Sequence, residues 1–87
     1  MTDIRQDPEV LRVYKEMGGV TQMRPDGEHI FGSIGDLAFW MRDQCDQDAW
    51  LQALFEQCPH IENEPLYGTT PEQWIRASVK AWKGAKE

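Results

Sequence analysis

Apolar residues recur every three or four positions in three segments of the chain, and a helix-capping pattern precedes each segment. The first segment follows Asp7, has proline at its first helical position and stops at a glycine pair. The second and third follow capping boxes that begin at Ser33 and Thr70. We therefore predict three helices, over residues 8–17, 34–45 and 71–83, the last of them closed by Gly84.

A fourth helix is predicted from about Asp48 to Gln57, where Pro59 stops it. Its apolar positions are out of phase with the stripe of the second helix. If that stripe continued past Cys45 on the same face, Asp48 and Gln52 would occupy core positions. This phase change favours a break or kink around residues 46–48. A single bent helix over residues 34–58 is the alternative.

Between the first two helices, the sequence predicts a β-hairpin with strands near residues 20–24 and 28–32. Pro25 and Asp26 suit the central positions of its turn, and Gly27 suits the residue with positive φ that follows. Two strands alone are marginally stable, so the hairpin must pack on a helix or gain a third strand.

The predicted fold is a small, helix-dominated α+β domain that spans residues 1–87 without an internal boundary. Its order is helix, β-hairpin, two helices, a surface loop over residues 59–69 and a C-terminal helix. A hydrophobic content of 40% with four tryptophans favours a packed globule over disorder. Because the N-terminal residues contain no apolar run, we expect a cytoplasmic protein without a signal peptide or membrane span.

Charge is concentrated in the middle of the chain. Residues 26–66 carry nine acidic side chains against one base, Arg42, and so hold a net charge of −8 in a chain whose total is −6. A surface of this sign repels nucleic acid and anionic membranes and attracts basic protein surfaces. The sequence therefore predicts a protein partner, with neither nucleic acid nor membrane bound directly.

Metal and catalytic chemistry have weak support in the sequence. Cys45, Cys58, His29 and His60 could supply zinc ligands, but the short Cys58–His60 spacing has no second close pair to complete a site. A nucleophilic Cys58 would also need nearby positive charge to lower its pKa, and its sequence neighbours are acidic. We therefore predict no metal, no cofactor and no enzymatic activity.

The last helix offers a possible phosphate-binding strip. Arg76, Lys80 and Lys83 recur at i, i+4 and i+7 on the face opposite its apolar stripe. The alternative is ordinary solvated basic residues near a helix C-terminus, where the helix dipole favours them and where they can neutralise part of the acidic section. We prefer this alternative because of the net charge of −8 in the preceding residues.

The second helix gives the most specific positive signal. Phe39 projects away from its apolar stripe, with Asp36 and Asp43 one turn before and after it, and Trp40 lies at the edge. An exposed aromatic ring between carboxylates suits a partner that offers an apolar pocket with a basic rim. The alternative is that this helix buries both faces, with Phe39 in the core.

The sequence thus predicts a small, acidic, non-catalytic protein-binding domain. Its sharper form is an inhibitor or decoy that occludes a basic nucleic-acid-binding surface, since spaced carboxylates on helices can imitate phosphates. Phage-encoded antagonists of host or defence nucleoproteins often have this general composition. The predicted contact residues are the anchors Phe39 and Trp40 and the carboxylates Asp36, Asp43, Asp46, Asp48, Glu56, Glu62 and Glu64.

A structural or adaptor subunit is the alternative function. It would associate through an aromatic surface, with a homodimer as one form, and its acidic face would only maintain solubility. The two functions differ in their dependence on salt. Exposed charges are screened within about 8–10 Å at moderate ionic strength, whereas an apolar interface is nearly indifferent to salt.

Overall fold

The computed structural model describes residues 3–58 and 68–86 and confirms the α+β class. Four helices and one hairpin form in the predicted order, preceded by a single 3-10 turn at Ile4–Gln6. The elements are α1 (Pro8–Glu16), β1 (Thr21–Arg24), β2 (Gly27–Ile30), α2 (Ile34–Asp43), α3 (Gln47–Gln57) and α4 (Pro71–Lys86). Most of the predicted 59–69 loop lies outside the described residues.

Local capping explains where the first three helices begin. The Asp7 carboxylate accepts a hydrogen bond from the Glu9 N–H at 2.9 Å, and proline occupies the first position of α1. Ser33 Oγ accepts from the N–H three residues later at 3.1 Å, at the start of α2. Asp46 does the same for α3 through the Ala49 N–H at 3.0 Å. Each cap satisfies a backbone donor that has no partner within the helix.

The segment after Ser33 forms two helices, as its apolar phase predicts. The break lies at residues 44–46, slightly before the predicted position, because Asp46 adopts an extended backbone and caps α3. The predicted end of α4 at Gly84 is wrong, since the helix continues to Lys86. Gly84 is not among the glycines with positive φ, so it lies in the helix without terminating it.

The hairpin joins two short antiparallel strands in the register Thr21 with Ile30 through Arg24 with Gly27. Gly27 follows the two-residue turn with φ of 125°, a backbone conformation that favours glycine. Strand β2 packs against the 3-10 turn and buries Ile30, whereas most of β1 is exposed. Among the described residues the sheet has no third strand.

Helix α4 lies at the centre of the core and packs against the other three helices. Trp50 of α3 is 1% exposed, and its indole N–H donates to Ser78 Oγ at 3.0 Å and to the Trp74 carbonyl at 3.3 Å. The Ser78 hydroxyl donates in turn to the same carbonyl at 2.9 Å. These bonds satisfy the polar atoms of two fully buried side chains, so the polar serine fits the apolar stripe of α4.

Removing the cap of α4 tests how much local sequence contributes to stability. Thr70 and Gln73 cap each other reciprocally, through Gln73 N–H to Thr70 Oγ1 at 3.2 Å and Thr70 N–H to Gln73 Oε1 at 2.8 Å. Thr70→Ala is expected to cost about 1 kcal/mol, which lowers the Tm of a domain this small by roughly 4–8 °C. Thermal denaturation measures this shift. Gln52→Ala on the exposed surface of α3 is the control, and equal Tm values for both variants would contradict the cap's contribution.

Asp3 and Arg5 form an acid-sensitive contact next to the backbone that precedes α2. The Asp3 carboxylate accepts three hydrogen bonds from Arg5, whose Nη1 also donates to the Gly32 carbonyl at 2.8 Å. The Arg5 side-chain and backbone hydrogen bonds lower the pKa of Asp3 from its ordinary value of 3.8 to about 2.

A lowered folded-state pKa means that the Asp3 contact stabilises the fold above the unfolded-state pKa and loses that effect as pH falls from about 4 towards 2. Asp3→Asn is therefore expected to be less stable than the original protein at neutral pH and to lose less stability over this acid interval. Urea unfolding at both ends of the interval measures the difference. Asp43→Asn is the control, and parallel acid losses in Asp3→Asn and the original protein would contradict the prediction.

Candidate partner-binding surface

The outer side of α2 presents Phe39 to solvent. Its side chain is 56% exposed, so the alternative that placed Phe39 in the core is wrong. Asp36 and Asp43 lie one helical turn before and after it, are both exposed, and have no basic partner within residues 3–58 and 68–86. We call Asp36, Phe39 and Asp43 the α2 acidic face.

A second aromatic ring supports Phe39 from α4. The Phe39 and Trp74 ring centroids lie 5.1 Å apart with planes inclined at 76°, an edge-to-face contact. The Trp74 indole N–H donates to Thr69 Oγ1 at 2.8 Å, which fixes the ring against the start of α4. The exposed Phe39 ring therefore packs against a Trp74 ring whose orientation is fixed by a hydrogen bond.

A groove of about 270 Å³ opens beside these two rings. Its walls are formed by α2 and by the residues that begin α4. The lining residues are Gly35, Ala38, Phe39, Thr69, Thr70, Pro71 and Trp74. The groove has room for one or two partner side chains, and its walls offer mainly apolar contact.

Arg42, the one base of the acidic section, is held against the aromatic rings beneath this surface. Its guanidinium carbon lies 5.0 Å from the Trp50 ring centroid and 5.3 Å from that of Trp74. Both distances allow cation–π attraction. Among the described residues Arg42 forms no ion pair with a carboxylate. Its position therefore leaves the carboxylate of the adjacent Asp43 without a salt bridge to Arg42.

The other predicted contact residues occupy different environments. Asp48 is exposed in the first turn of α3, and Asp46 is exposed but also caps that helix. Glu56 pairs with Lys80. Trp40 is partly buried against the core, with its ring 5.0 Å from that of Tyr14, so Phe39 is the more accessible of the two predicted anchors. Glu62 and Glu64 lie outside the described residues.

The basic strip of α4 is paired with acidic side chains. Arg76 lies 3.8 Å from Asp7, the cap of α1. Lys83 lies 3.3 Å from Glu9 in α1. Lys80 pairs with Glu56 of α3. These partly exposed pairs each contribute little stability. They do neutralise the strip, so the described bases of α4 compensate carboxylates that lie outside the α2 acidic face.

Both cysteines are free thiols that lie at least partly inside the protein. Cys45 Sγ donates to the carbonyl oxygens of Met41 at 3.4 Å and Ser78 at 3.5 Å, and burial raises the pKa of its thiol to about 11. Cys58 is buried after the last turn of α3. Within the described ranges, no three His, Cys, Asp or Glu side chains gather as a metal site, and His60 falls outside those ranges.

Sequence reasoning missed Trp74 and Arg42. Trp74 adjoins the predicted stripe of α4, but no local pattern places it beside a ring 35 positions earlier in the chain. Arg42 drew attention only as an isolated charge, and its aromatic partners come from α3 and α4. The available signal was a tryptophan adjoining the predicted apolar stripe of α4. That signal does not indicate which aromatic or basic side chain Trp74 contacts.

No family model matches the chain, and no curated protein or solved structure gives a significant match. No described helix is long and apolar enough to cross a membrane. The geometry and charge of the α2 acidic face and its groove are therefore the features of the molecule that bear on function.

Proposed function

We propose that this protein is a non-catalytic inhibitor or decoy that binds a basic protein surface through its α2 acidic face. One observation carries the proposal: Phe39 is 56% exposed between two carboxylates that have no basic partner among the described residues. An aromatic side chain left in solvent costs free energy that burial in a partner's pocket would recover.

The arrangement supports a division of roles between anchor and charges. Phe39, standing on Trp74, would enter an apolar pocket, and the adjacent groove would receive an apolar side chain from the partner. Asp36 and Asp43 would meet bases at the rim of that pocket. Long-range attraction from the −8 section would raise the association rate, an effect that falls steeply with ionic strength.

A nucleic-acid-binding groove is the basic surface that fits this charge pattern best. Asp43, Asp46 and Asp48 present three exposed carboxylates within six positions at the junction of α2 and α3. Carboxylates at such spacing can occupy the places of successive phosphates. Bound there, the protein would exclude nucleic acid by occupying its site, without any covalent step. We place this activity in the cytoplasm, and a phage-encoded antagonist of a nucleoprotein is a protein of this type.

A capture experiment with matched charge variants tests the proposal. Tagged protein is incubated with host lysate at low salt, eluted with rising salt, and the bound proteins are identified by mass spectrometry. We expect a nucleic-acid-handling protein that leaves at moderate salt and that Asp43→Lys fails to capture. Asp26→Lys is the control, because it makes the same charge change at the exposed turn of the hairpin.

Two outcomes would contradict the proposal. Equal loss of capture by Asp43→Lys and Asp26→Lys would mean that binding depends on the net charge of the protein and not on the α2 acidic face. A partner retained at high salt by both variants would favour association through an apolar surface, as a structural or adaptor subunit would show.

A further inference from the structure

The most exposed large apolar side chains lie on the hairpin and its flanks. Val20 is 80% exposed, Met23 78% and Phe31 70%, each more than Phe39 on α2. Met23 belongs to β1, Val20 immediately precedes it, and Phe31 immediately follows β2. The proposed binding of a basic partner by the α2 acidic face uses none of these residues.

Strand β1 also has an unpaired edge. It pairs with β2 on one side, and on its other side no described strand adjoins it. The far side of the hairpin differs, because β2 packs against the 3-10 turn. An edge strand offers a row of free backbone N–H and C=O groups to another strand. Since two strands alone are marginal, added strands would stabilise the hairpin.

The charge of this edge favours a second copy of the chain as the occupant. Residues 20–25 contain one base, Arg24, and no acid, although the chain as a whole carries −6. Two copies repel each other least where neither presents an acidic group. Arg24 is exposed and forms no ion pair within the described ranges. It is therefore available for a contact across such an interface.

We propose that two copies associate by antiparallel pairing of their β1 edges, with the two-fold axis at Gln22. The result is a four-stranded sheet in which the β1 strands are central and the β2 strands are outermost. This register pairs every residue from Val20 to Arg24, whereas a shift in either direction shortens the overlap. A two-fold axis at Arg24 would also set two guanidinium groups against each other.

The register gives each exposed apolar side chain a cross-strand neighbour. Met23 lies opposite the partner subunit's Thr21, and Val20 lies opposite the partner subunit's Arg24. Extending the hairpin register by one step places Phe31 beside Val20 on the same face. The partner subunit's Arg24 then lies two strands, or about 10 Å, from Phe31, a distance that the two side chains can span in a cation–π contact.

Sedimentation velocity over a range of concentrations tests the dimer. We expect the original protein to form a concentration-dependent dimer. The double variant Val20→Lys/Met23→Lys is expected to raise the dimer dissociation constant at least about tenfold, because apolar contacts are lost and the new cation at position 20 lies opposite the partner subunit's Arg24. Phe39→Lys makes the same kind of change on the α2 acidic face and is expected to leave the dimer intact while removing the basic partner.

Cross-linking tests the position of the axis. Directly opposed residues on antiparallel strands have Cα atoms about 4.5–5.5 Å apart, within the range of a disulfide. Gln22→Cys is therefore expected to form a covalent dimer on mild oxidation, whereas Gln52→Cys on the exposed surface of α3 is not. A monomer at every soluble concentration, a dimer unchanged by the double variant, or equal cross-linking at both positions would overturn the proposal. Binding of the basic partner remains separately measurable in each case.

Discussion

Replacing Trp50 with alanine is expected to lower the free energy of unfolding by about 3–5 kcal/mol. The side chain is 1% exposed and packs its ring 5.1 Å from that of Trp74, so its removal leaves a cavity among α2, α3 and α4. It also takes the indole N–H away from Ser78 and the ring from Arg42. A loss of this size is a large fraction of the free energy of unfolding of an ordinary domain.

Two variants separate the contributions to this loss. Trp50→Phe keeps an aromatic ring but removes the donor to Ser78, and its cost is expected to lie well below that of alanine. Phe39→Ala removes an exposed ring and its edge-to-face contact, for an expected cost of about 0.5–1.5 kcal/mol. Urea unfolding ranks the three variants. A Trp50→Ala protein no less stable than Phe39→Ala would show that the core is not organised around Trp50.

The Phe39→Ala variant is expected to weaken binding of the basic partner by about thirtyfold, or about 2 kcal/mol. Phe39 is the one large apolar side chain of the α2 acidic face, and alanine cannot fill the pocket that it would enter. Its effect on binding should exceed its effect on stability. Titration of the captured partner by calorimetry measures the dissociation constant, and circular dichroism checks that the helices are retained.

Phe31→Ala is the matched control for this binding experiment. It removes a ring that is 70% exposed but lies on the hairpin side of the chain. Measured at concentrations where both proteins are monomers, it should leave the dissociation constant within a factor of about two, as for residues outside a hot spot. Comparable losses for the two variants would contradict the placement of the anchor on α2.

The helices were predictable because their starting signals are local. Asp7, Ser33 and Thr70 each cap a backbone group two or three residues away, so short-range sequence carries the information. The phase change after Cys45 likewise indicates two separate helices, and the break lies at residues 44–46. The end of α4 was less predictable, since Gly84 remains helical and the residues that continue the helix follow no terminating pattern.

The binding surface was predictable only in part. Helical periodicity indicates that Phe39 projects away from the stripe of its own helix, but its exposure depends on whether another element covers that side. The contact with Trp74 and the groove between them arise where α2 packs against α4, and local sequence does not determine that packing. The pairing of Arg76 with the cap of α1 and of Lys83 with Glu9 inside α1 depends on how α4 packs against α1.

Displacement of nucleic acid from the captured partner tests whether the protein occludes the nucleic-acid site. A fluorescently labelled oligonucleotide is bound to that partner, and its anisotropy is followed as the protein is added. We expect a fall to the value of free oligonucleotide with the original protein, the same fall at about thirtyfold higher concentrations of Phe39→Ala, and no fall with Asp43→Lys. Anisotropy that stays high or rises once the partner is saturated would show that nucleic acid and protein bind together, and would contradict occlusion of the nucleic-acid site.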